Sequence, residues 1–182
     1  MSLLKDSMVK NHSVIKSFAI LEFLADVQTP KDLGVISSEL GMNKSTLYRF
    51  LTTLVQLGYA NQDSHTGKYS LGPKILWLAS RFLESLDIRN LSRPLLERLV
   101  EVTGETVHLA ILDNYEVVYI DKVDGHQPVR MISSVGNRMP AHSTGLGKAL
   151  LASLDEDEWY ANVENIGLKS YTTNTMECLC RM

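Results

Sequence analysis

The stretch Asn43-Lys44-Ser45-Thr46-Leu47-Tyr48-Arg49-Phe50-Leu51-Thr52-Thr53-Leu54 decides the fold of the first half of the chain. Its apolar residues recur at positions i, i+3, i+4 and i+7, the spacing of one buried helical stripe: Leu47, Phe50, Leu51 and Leu54. The side chain of Asn43 can cap this helix, and Leu57-Gly58 is expected to end it. The stretch therefore predicts an amphipathic helix that buries one face.

The opposite face of this helix has the chemistry of a surface that contacts DNA. Nearly all of its residues can donate hydrogen bonds and none is acidic: Lys44, Ser45, Thr46, Tyr48, Arg49, Thr52, Thr53 and Gln56. The alternative is a solvated face of a helical bundle, but such faces usually mix Glu with Lys to form i,i+4 pairs. Contact with phosphates and base edges is favoured. The candidate DNA-binding residues on this helix are Lys44, Ser45, Thr46, Tyr48, Arg49 and Thr52.

Two helices are predicted upstream of this stretch. The first runs from Val14 to Val27, with Ser13 as its N-cap and Pro30 beyond its end. Its apolar residues at helical spacing are Val14, Phe18, Leu21 and Ala25, alongside Ile15, Ile20 and Leu24. The second is short, roughly Leu33 to Leu40, and Gly41 closes it in a left-handed turn. A short helix, a tight turn containing glycine and a longer helix together form a helix-turn-helix.

A hairpin is predicted directly after the third helix. Two short extended runs, Tyr59 to Gln62 and Lys68 to Leu71, flank the polar loop Asp63-Ser64-His65-Thr66-Gly67. Behind a recognition helix such a hairpin is a wing, and Lys68 is a candidate DNA-binding residue in it. A phosphate or minor-groove contact and a plain exposed loop both remain open for its tip.

The next helix is interpreted as a linker that also contributes to dimerisation. Pro73 suits its first turn, and it is predicted from Lys74 to Leu86. A seam with spacings of four and three runs along it: Ile75, Ala79, Phe82 and Leu86. The seam is too short to hold a coiled coil alone, but further apolar residues widen it. The candidate dimerisation residues are Trp77, Phe82 and Leu86.

The second half of the chain is predicted to be an α+β domain. A helix carrying Leu91, Leu95, Leu96, Leu99 and Val102 is expected to stop at Thr103-Gly104. Strands follow at Thr106 to Asp113, Glu116 to Val123 and Val129 to Ser134, the first two joined by a tight turn. Gly136 to Pro140 is predicted as loop, and Gly145 to Leu154 as a helix entered through Ser143-Thr144. The predicted domains are a winged helix-turn-helix at 1–72, a linker helix at 73–90 and the α+β domain at 91–182.

Composition excludes several classes of protein. The 182 residues are 45% hydrophobic and 21% charged, which is typical of a globular chain rather than of disorder or collagen. The net charge of the chain is −3, and residues 1–88 contain nine Lys/Arg and eight Asp/Glu. This nearly neutral balance is compatible with a nucleic-acid surface in the first half but does not by itself indicate one. The absence of a long apolar run or a signal-like N-terminus predicts a cytoplasmic protein with no membrane partner. Cys178 and Cys180 are expected to be incidental, and no metal site or cofactor is expected.

Catalysis is the rival function, because four residues of the second half are possible acids or bases: His108, Asp121, Asp124 and His142. If Asp113 pairs with Glu116, His108 lies opposite Asp121 on the neighbouring strand. No nucleophile elbow, phosphate loop or metal-ligand spacing accompanies them. A cross-strand hydrogen bond is the better explanation, and we predict that the protein is not an enzyme.

The motifs in both halves resemble those of IclR-type bacterial transcriptional regulators. In the first half these are Asn43 to Leu51, Leu57-Gly58-Tyr59 and Lys68-Tyr69-Ser70-Leu71-Gly72. In the second half they are Thr103 to Leu109, Val118 to Val123 and Gly136 to Ala149, which look like the GAF-like effector-binding domain of that family. Tyr48-Arg49-Phe50 and Tyr171 to Thr175 are similar to the sugar-acid branch, which includes regulators of ketodeoxygluconate use. The resemblance runs from about residue 13 to 176.

The resemblance implies a regulator, more commonly a repressor than an activator, that binds double-stranded operator DNA as a homodimer or tetramer. It also implies a small organic acid, such as a sugar acid or keto acid, as effector. The effector would bind at the Gly-Leu-Gly-Lys motif, where the Gly145 and Leu146 amides begin a helix and Met131 and Met139 provide apolar walls. Family members continue beyond the point matching Met176, so we expect a truncated chain whose effector domain is incomplete. Ile120 and Met131 would then lack their usual cover, and a plain DNA-binding module without ligand sensing is the alternative.

Overall fold

The structure of the protein, a computed structural model, describes residues 11–127, 134–155, 168–173 and 175. The chain divides into two compact units, Met1–Phe82 and Leu83–Met182, called here the first and the second unit. Each unit has a hydrophobic cluster of its own. The predicted three-part division at 1–72, 73–90 and 91–182 remains a prediction.

Residues 11–71 of the first unit form three helices and a hairpin. The helices are α1 (His12–Asp26), α2 (Leu33–Glu39) and α3 (Lys44–Gln56), and the strands are β1 (Ala60–Gln62) and β2 (Tyr69–Leu71). Asn43 caps α3 as predicted, because its Oδ1 accepts a hydrogen bond from the Ser45 amide at 3.1 Å. The predicted cap of α1 is wrong: Asn11, not Ser13, accepts from the Ser13 and Val14 amides at 3.1 and 3.3 Å.

The core of the first unit is formed by one face of each helix together with the hairpin. Its buried members are Ile20, Leu24, Ile36, Leu47, Leu51, Leu54, Ala60 and Tyr69. The predicted stripe on α3 is confirmed for its three leucines, while Phe50 is half-buried. Of the apolar residues at helical spacing on α1, Ile20 and Leu24 enter the core, whereas Phe18 is 60% exposed and lies outside it.

The wing is held to the helices by a third extended segment. Strands β1 and β2 pair antiparallel, with Ala60 opposite Leu71 and Gln62 opposite Tyr69. On the other edge of β2, Tyr69 forms a bridge with Lys31. The Lys31 amide donates to the Tyr69 carbonyl at 2.9 Å, and the Tyr69 amide donates to the Lys31 carbonyl at 2.8 Å. Sequence analysis predicted the hairpin but not the bridge.

Two further helices follow, α4 (Lys74–Glu84) and α5 (Asp87–Thr103). Helix α4 is two residues shorter than predicted, so Leu86 lies outside it and directly precedes α5. Residues 87–90, predicted as linker, are the first turn of α5. The predicted end of α5 is confirmed, since Gly104 is its C-cap with φ of 73°, a left-handed conformation that favours glycine.

The described strands of the second unit form one sheet in the order β3-β4-β5, and both of their pairings are antiparallel. Its strands are β3 (Val107–Asp113), β4 (Glu116–Val123) and β5 (Arg138–Pro140). The predicted tight turn is confirmed, with φ of 47° at Asn114 and 64° at Tyr115, as a type I′ hairpin requires. Gly136 to Pro140 was predicted as loop, but Met139 pairs with Val117 of β4. Residues 129–133 of the predicted strand Val129 to Ser134 lie outside the described residues.

A β-bulge changes the register between β3 and β4. Asp113 pairs with Glu116 and Ala110 with Tyr119, but the next pair is Leu109 with Asp121. Ile120 is therefore the extra residue on β4. As a result His108 faces Lys122, and its predicted pairing with Asp121 is wrong.

The last described helix is α6 (Gly145–Leu151), three residues shorter than predicted. Thr144 caps it by accepting from the Gly147 amide at 3.0 Å. The hydrophobic cluster against which α6 packs consists of Val117, Tyr119, Ala141 and Leu151.

Ile120 is 1% exposed, so the expectation that its side chain lacks cover is wrong. Met131, Cys178 and Cys180 lie outside the described residues.

Gly147 and Gly145 provide a matched pair for testing this packing. A Cβ on Gly147 would overlap the carbonyl oxygen and Cα of Ala141, whereas a Cβ on Gly145 meets nothing within 4 Å. We expect Gly147→Ala to destabilise the second unit by about 1–3 kcal/mol, because backbone atoms must shift. Gly145→Ala should change its stability by less than about 1 kcal/mol. Chemical denaturation monitored by amide exchange in β4 measures both, and equal effects would contradict the close approach.

Candidate nucleic-acid interface and effector region

The outward face of α3 presents hydrogen-bond donors and two cations. Lys44, Ser45, Tyr48 and Arg49 are exposed, whereas Thr46 and Thr52 are half-buried. Neither Lys44 nor Arg49 forms an ion pair with any residue that the structure describes. Their charges are available to an external anion. The predicted set therefore lies on one surface of α3.

Two hydroxyl groups of this face are already engaged within α3. Ser45 Oγ donates to Asn43 Oδ1 at 3.0 Å, and Thr53 Oγ1 donates to the Arg49 carbonyl at 3.0 Å. A hydroxyl that donates to its own helix can still accept a hydrogen bond, but it has no proton left for a phosphate oxygen. Lys44 and Arg49 are therefore the strongest donors of this face.

The loop of the wing is organised by one carboxylate. Asp63 accepts from the His65 amide at 3.0 Å, the Thr66 amide at 2.7 Å and Thr66 Oγ1 at 2.9 Å. These hydrogen bonds, those from Thr66 above all, lower the pKa of Asp63.

Lys68, the predicted wing contact, has a partner within the protein. Its Nζ lies 4.0 Å from the Asp32 carboxylate, and both side chains are largely exposed. An exposed pair at this distance is worth about 0–1 kcal/mol. A phosphate can therefore compete with Asp32 for Lys68 at small cost.

The predicted effector residues that the structure describes lie on one continuous segment, β5 to α6. Met139 is exposed on β5, Gly145 is exposed at the start of α6, and Leu146 is half-buried. His142, which the sequence offered only as a possible acid or base, is 5% exposed and donates from Nε2 to the Lys169 carbonyl at 3.0 Å. His142 thus ties the start of α6 to residues 168–173.

The residues considered for catalysis do not form a site together. The Asp121 carboxylate is buried and lies 3.3 Å from Arg93 Nη1 and 3.6 Å from Arg89 Nε. It anchors α5 to β4. The His108 ring packs edge-on against Tyr119 at 5.2 Å, and burial, followed by the positive charge of Lys122, lowers the pKa of His108. Among the described residues, no group of three or more His, Cys, Asp or Glu side chains could hold a metal ion. In the same part of the chain, no helix is long and apolar enough to cross a membrane.

Two family models match the chain. The IclR helix-turn-helix domain matches residues 13–64, and the C-terminal region of the bacterial transcriptional regulator IclR matches residues 80–179. This order confirms the predicted arrangement of a DNA-binding domain followed by an effector-binding domain. The second match passes Met176, where sequence analysis placed the end of the resemblance. Both models describe transcriptional regulators, in agreement with the prediction that the protein is not an enzyme.

The chain is similar to individual regulators over most of its length. It is 39% identical to the HTH-type transcriptional regulator KdgR of Escherichia coli K12 and 37% identical to XynR of the same organism, each over 90% of the chain. It spans 62% and 65% of the length of these two relatives. The solved structure of the Thermotoga maritima IclR matches with a TM-score of 0.69 and 30% identity, over 94% of this chain and 69% of that one.

The order of the wing loop can be tested at Asp63. Asp63→Ala removes the shared acceptor, so we expect faster amide exchange at His65 and Thr66, measured near neutral pH. Asp63→Asn, the matched control, keeps an oxygen acceptor and should retain most of the protection. Because the pKa of Asp63 is lowered by folding, its contribution is present above about pH 4 and is lost as the pH falls further. Unchanged exchange in the Ala variant would contradict this role.

Proposed function

We propose that this chain, which belongs to the IclR family of bacterial transcriptional regulators, binds specific double-stranded operator DNA and represses transcription under the control of a small organic acid. The observation that carries the proposal is the outward face of α3, with two exposed cations and no acidic residue, next to a wing. The site of action is the cytoplasm, because chromosomal DNA is there.

In the proposed complex α3 lies in the major groove, whose width of about 12 Å admits one helix. Lys44 and Arg49 approach phosphates or a guanine edge, and Tyr48 and Thr46 lie beside them. The remaining candidates, Ser45, Thr52 and Lys68, extend the contact along α3 and to the wing. Phosphate contacts would set the position of the protein on the duplex, and base contacts would select the sequence.

The proposed effector is a sugar acid or keto acid held between β5 and the start of α6. The resemblance of Tyr48-Arg49-Phe50 and of residues 171–175 to the sugar-acid branch of the family supports this class of ligand. Gly145 and Leu146 would hold the carboxylate, with Met139 as an apolar wall. The flexible thioether of an exposed methionine such as Met139 can adapt to a ligand.

We propose self-association through α4. Trp77 and Phe82 are each 52% exposed, and Leu76 and Leu78 of the same helix are 74% and 44% exposed. This is much apolar surface for one short helix. Leu86, outside α4, would extend the contact beyond the end of the helix. A dimer would present two recognition helices to a two-fold operator, and a tetramer of two such dimers is the alternative.

Two alternatives belong to the same family of functions: an activator, and a DNA-binding protein that senses no ligand. Genome-wide recovery of bound DNA tests the main proposal and yields an operator. Affinity for that operator is then measured with and without ketodeoxygluconate and other sugar or keto acids. A ligand-dependent change in affinity supports regulation by an acid, and unchanged affinity with all of them favours the ligand-free alternative.

Arg49 is the residue of α3 whose removal should be most costly to DNA binding. If Arg49 reads a guanine, Arg49→Ala loses about 1–3 kcal/mol of affinity at one base position. If it binds a phosphate, affinity falls for all sequences and the salt dependence becomes shallower. Arg49→Lys separates the two, because Lys keeps the charge but not the two-pronged contact with a base. Unchanged affinity and specificity in Arg49→Ala would refute both assignments.

The dimerisation surface can be tested with two equally simple changes. We expect Phe82→Glu to give monomers in analytical ultracentrifugation and to weaken operator binding, because a carboxylate would be buried in an apolar contact. Phe18→Glu changes a phenylalanine of similar exposure on α1 and should leave the sedimentation of the wild type unchanged. A wild-type monomer that still binds a two-fold operator tightly would contradict self-association.

A further inference from the structure

A cavity of about 360 Å³ opens in the first unit between the N-terminal part of α1 and the recognition helix α3. Helix α1 contributes His12, Ser13 and Lys16, and α3 contributes Thr46 and Arg49, with Phe50 as an apolar wall. Neither Asp nor Glu is among the described residues that line it. The cavity therefore combines two permanent cations, one histidine and three hydroxyl groups, those of Ser13, Thr46 and Thr53, and the Thr53 hydroxyl already donates to the Arg49 carbonyl.

The positive charges of this cleft are not neutralised within the protein. His12, Lys16 and Arg49 are all exposed, and none forms an ion pair with a residue in the described part of the chain. Like charges held close together repel, and the cost is relieved when an anion binds between them. The cleft thus has the chemistry of an anion site.

The backbone amides at the N-terminus of α1 are not what forms this anion site. Asn11 already accepts hydrogen bonds from the Ser13 and Val14 amides. The polar groups that remain for an anion are side chains: the Lys16 ammonium, the Arg49 guanidinium and the hydroxyls of Ser13 and Thr46. Such a set suits the oxygens of a phosphate, which accept charge-assisted hydrogen bonds.

The position of the cleft indicates which phosphate it would meet. Arg49 belongs to the outward face of α3, and Thr46, three residues earlier, lies on the side of α3 that borders α1. A helix of about 10–12 Å diameter fills the major groove, so a sugar-phosphate backbone runs along each of its flanks. The cleft lies on one of these flanks.

We propose that the cleft between α1 and α3 binds one backbone phosphate of DNA, with Lys16 and Arg49 supplying the charge and Ser13 and Thr46 the hydrogen bonds. The proposal rests on the proposed DNA-binding function. It extends the DNA interface to α1, a helix outside the helix-turn-helix, and it assigns Arg49 to the backbone rather than to a guanine edge. His12 lies at the rim of the same site.

The test compares Lys16→Gln with Lys74→Gln, a lysine of the same unit that does not line the cleft. Because a phosphate contact is independent of sequence, a short mixed-sequence duplex is the probe, and its affinity is measured over a series of salt concentrations. Each lost phosphate contact should reduce the slope of log affinity against log salt by about 0.9. We expect this reduction for Lys16→Gln and a wild-type slope for Lys74→Gln. Circular dichroism verifies that both variants fold, as exposed positions on helices should allow.

A double-mutant cycle with Arg49→Gln tests whether the two cations share one phosphate. If they do, the double variant should lose less affinity than the two single losses combined. A wild-type slope for Lys16→Gln, or full additivity in the cycle, would overturn the shared site. Chemical-shift changes at His12 and Lys16 on adding inorganic phosphate, with DNA binding of Lys16→Gln unchanged, would identify a small-anion site instead and would also overturn it. Failure of the wild type to bind any duplex would overturn the proposed function itself.

Discussion

The burial of three leucines of α3 is the constraint on which the rest of the first unit depends. Leu47, Leu51 and Leu54 are each less than one-tenth exposed, and burying each side chain contributes about 1.5–3 kcal/mol. Rotating α3 about its axis would expose all three, at a cost larger than any single surface contact could offset. The orientation of Arg49 and Tyr48 is therefore determined by the core. The direction of the proposed DNA-binding surface follows from packing that does not involve DNA.

The second unit depends in a similar way on one extra residue. The bulge at Ile120 allows Tyr119, Ile120 and Asp121 to be buried in succession, which a regular strand with alternating faces does not allow. The carboxylate of Asp121 then meets Arg89 and Arg93 of α5. A buried carboxylate needs such partners, since an isolated buried charge is strongly unfavourable. The bulge therefore buries the Asp121 carboxylate at the position where Arg89 and Arg93 pair with it.

Local signals predicted most of this fold, and long-range contacts account for what was missed. The three leucines of the α3 stripe, the Asn43 cap and the Asp113 to Glu116 turn all depend on residues close in sequence, and each is confirmed. The bridge of Lys31 to Tyr69, the strand Arg138–Pro140 and the bulge depend on partners far along the chain, which periodicity cannot identify. The same limit applies to the candidate site. The outward residues of α3 could be predicted from spacing, but the cleft with α1 could not, because it depends on how two helices cross.

The bridge between Lys31 and Tyr69 has a consequence for the kinetics of the proposed DNA binding. It joins the segment that precedes α2 to the wing, so the hairpin is hydrogen-bonded on both edges of β2 before any DNA is present. A wing that has to fold on the duplex would lose chain entropy on binding and slow the encounter. In the proposed complex the helices and the wing would approach the duplex as one preformed body. The rate of association should then follow electrostatic attraction and diffusion, with a steep dependence on ionic strength and no slow ordering step.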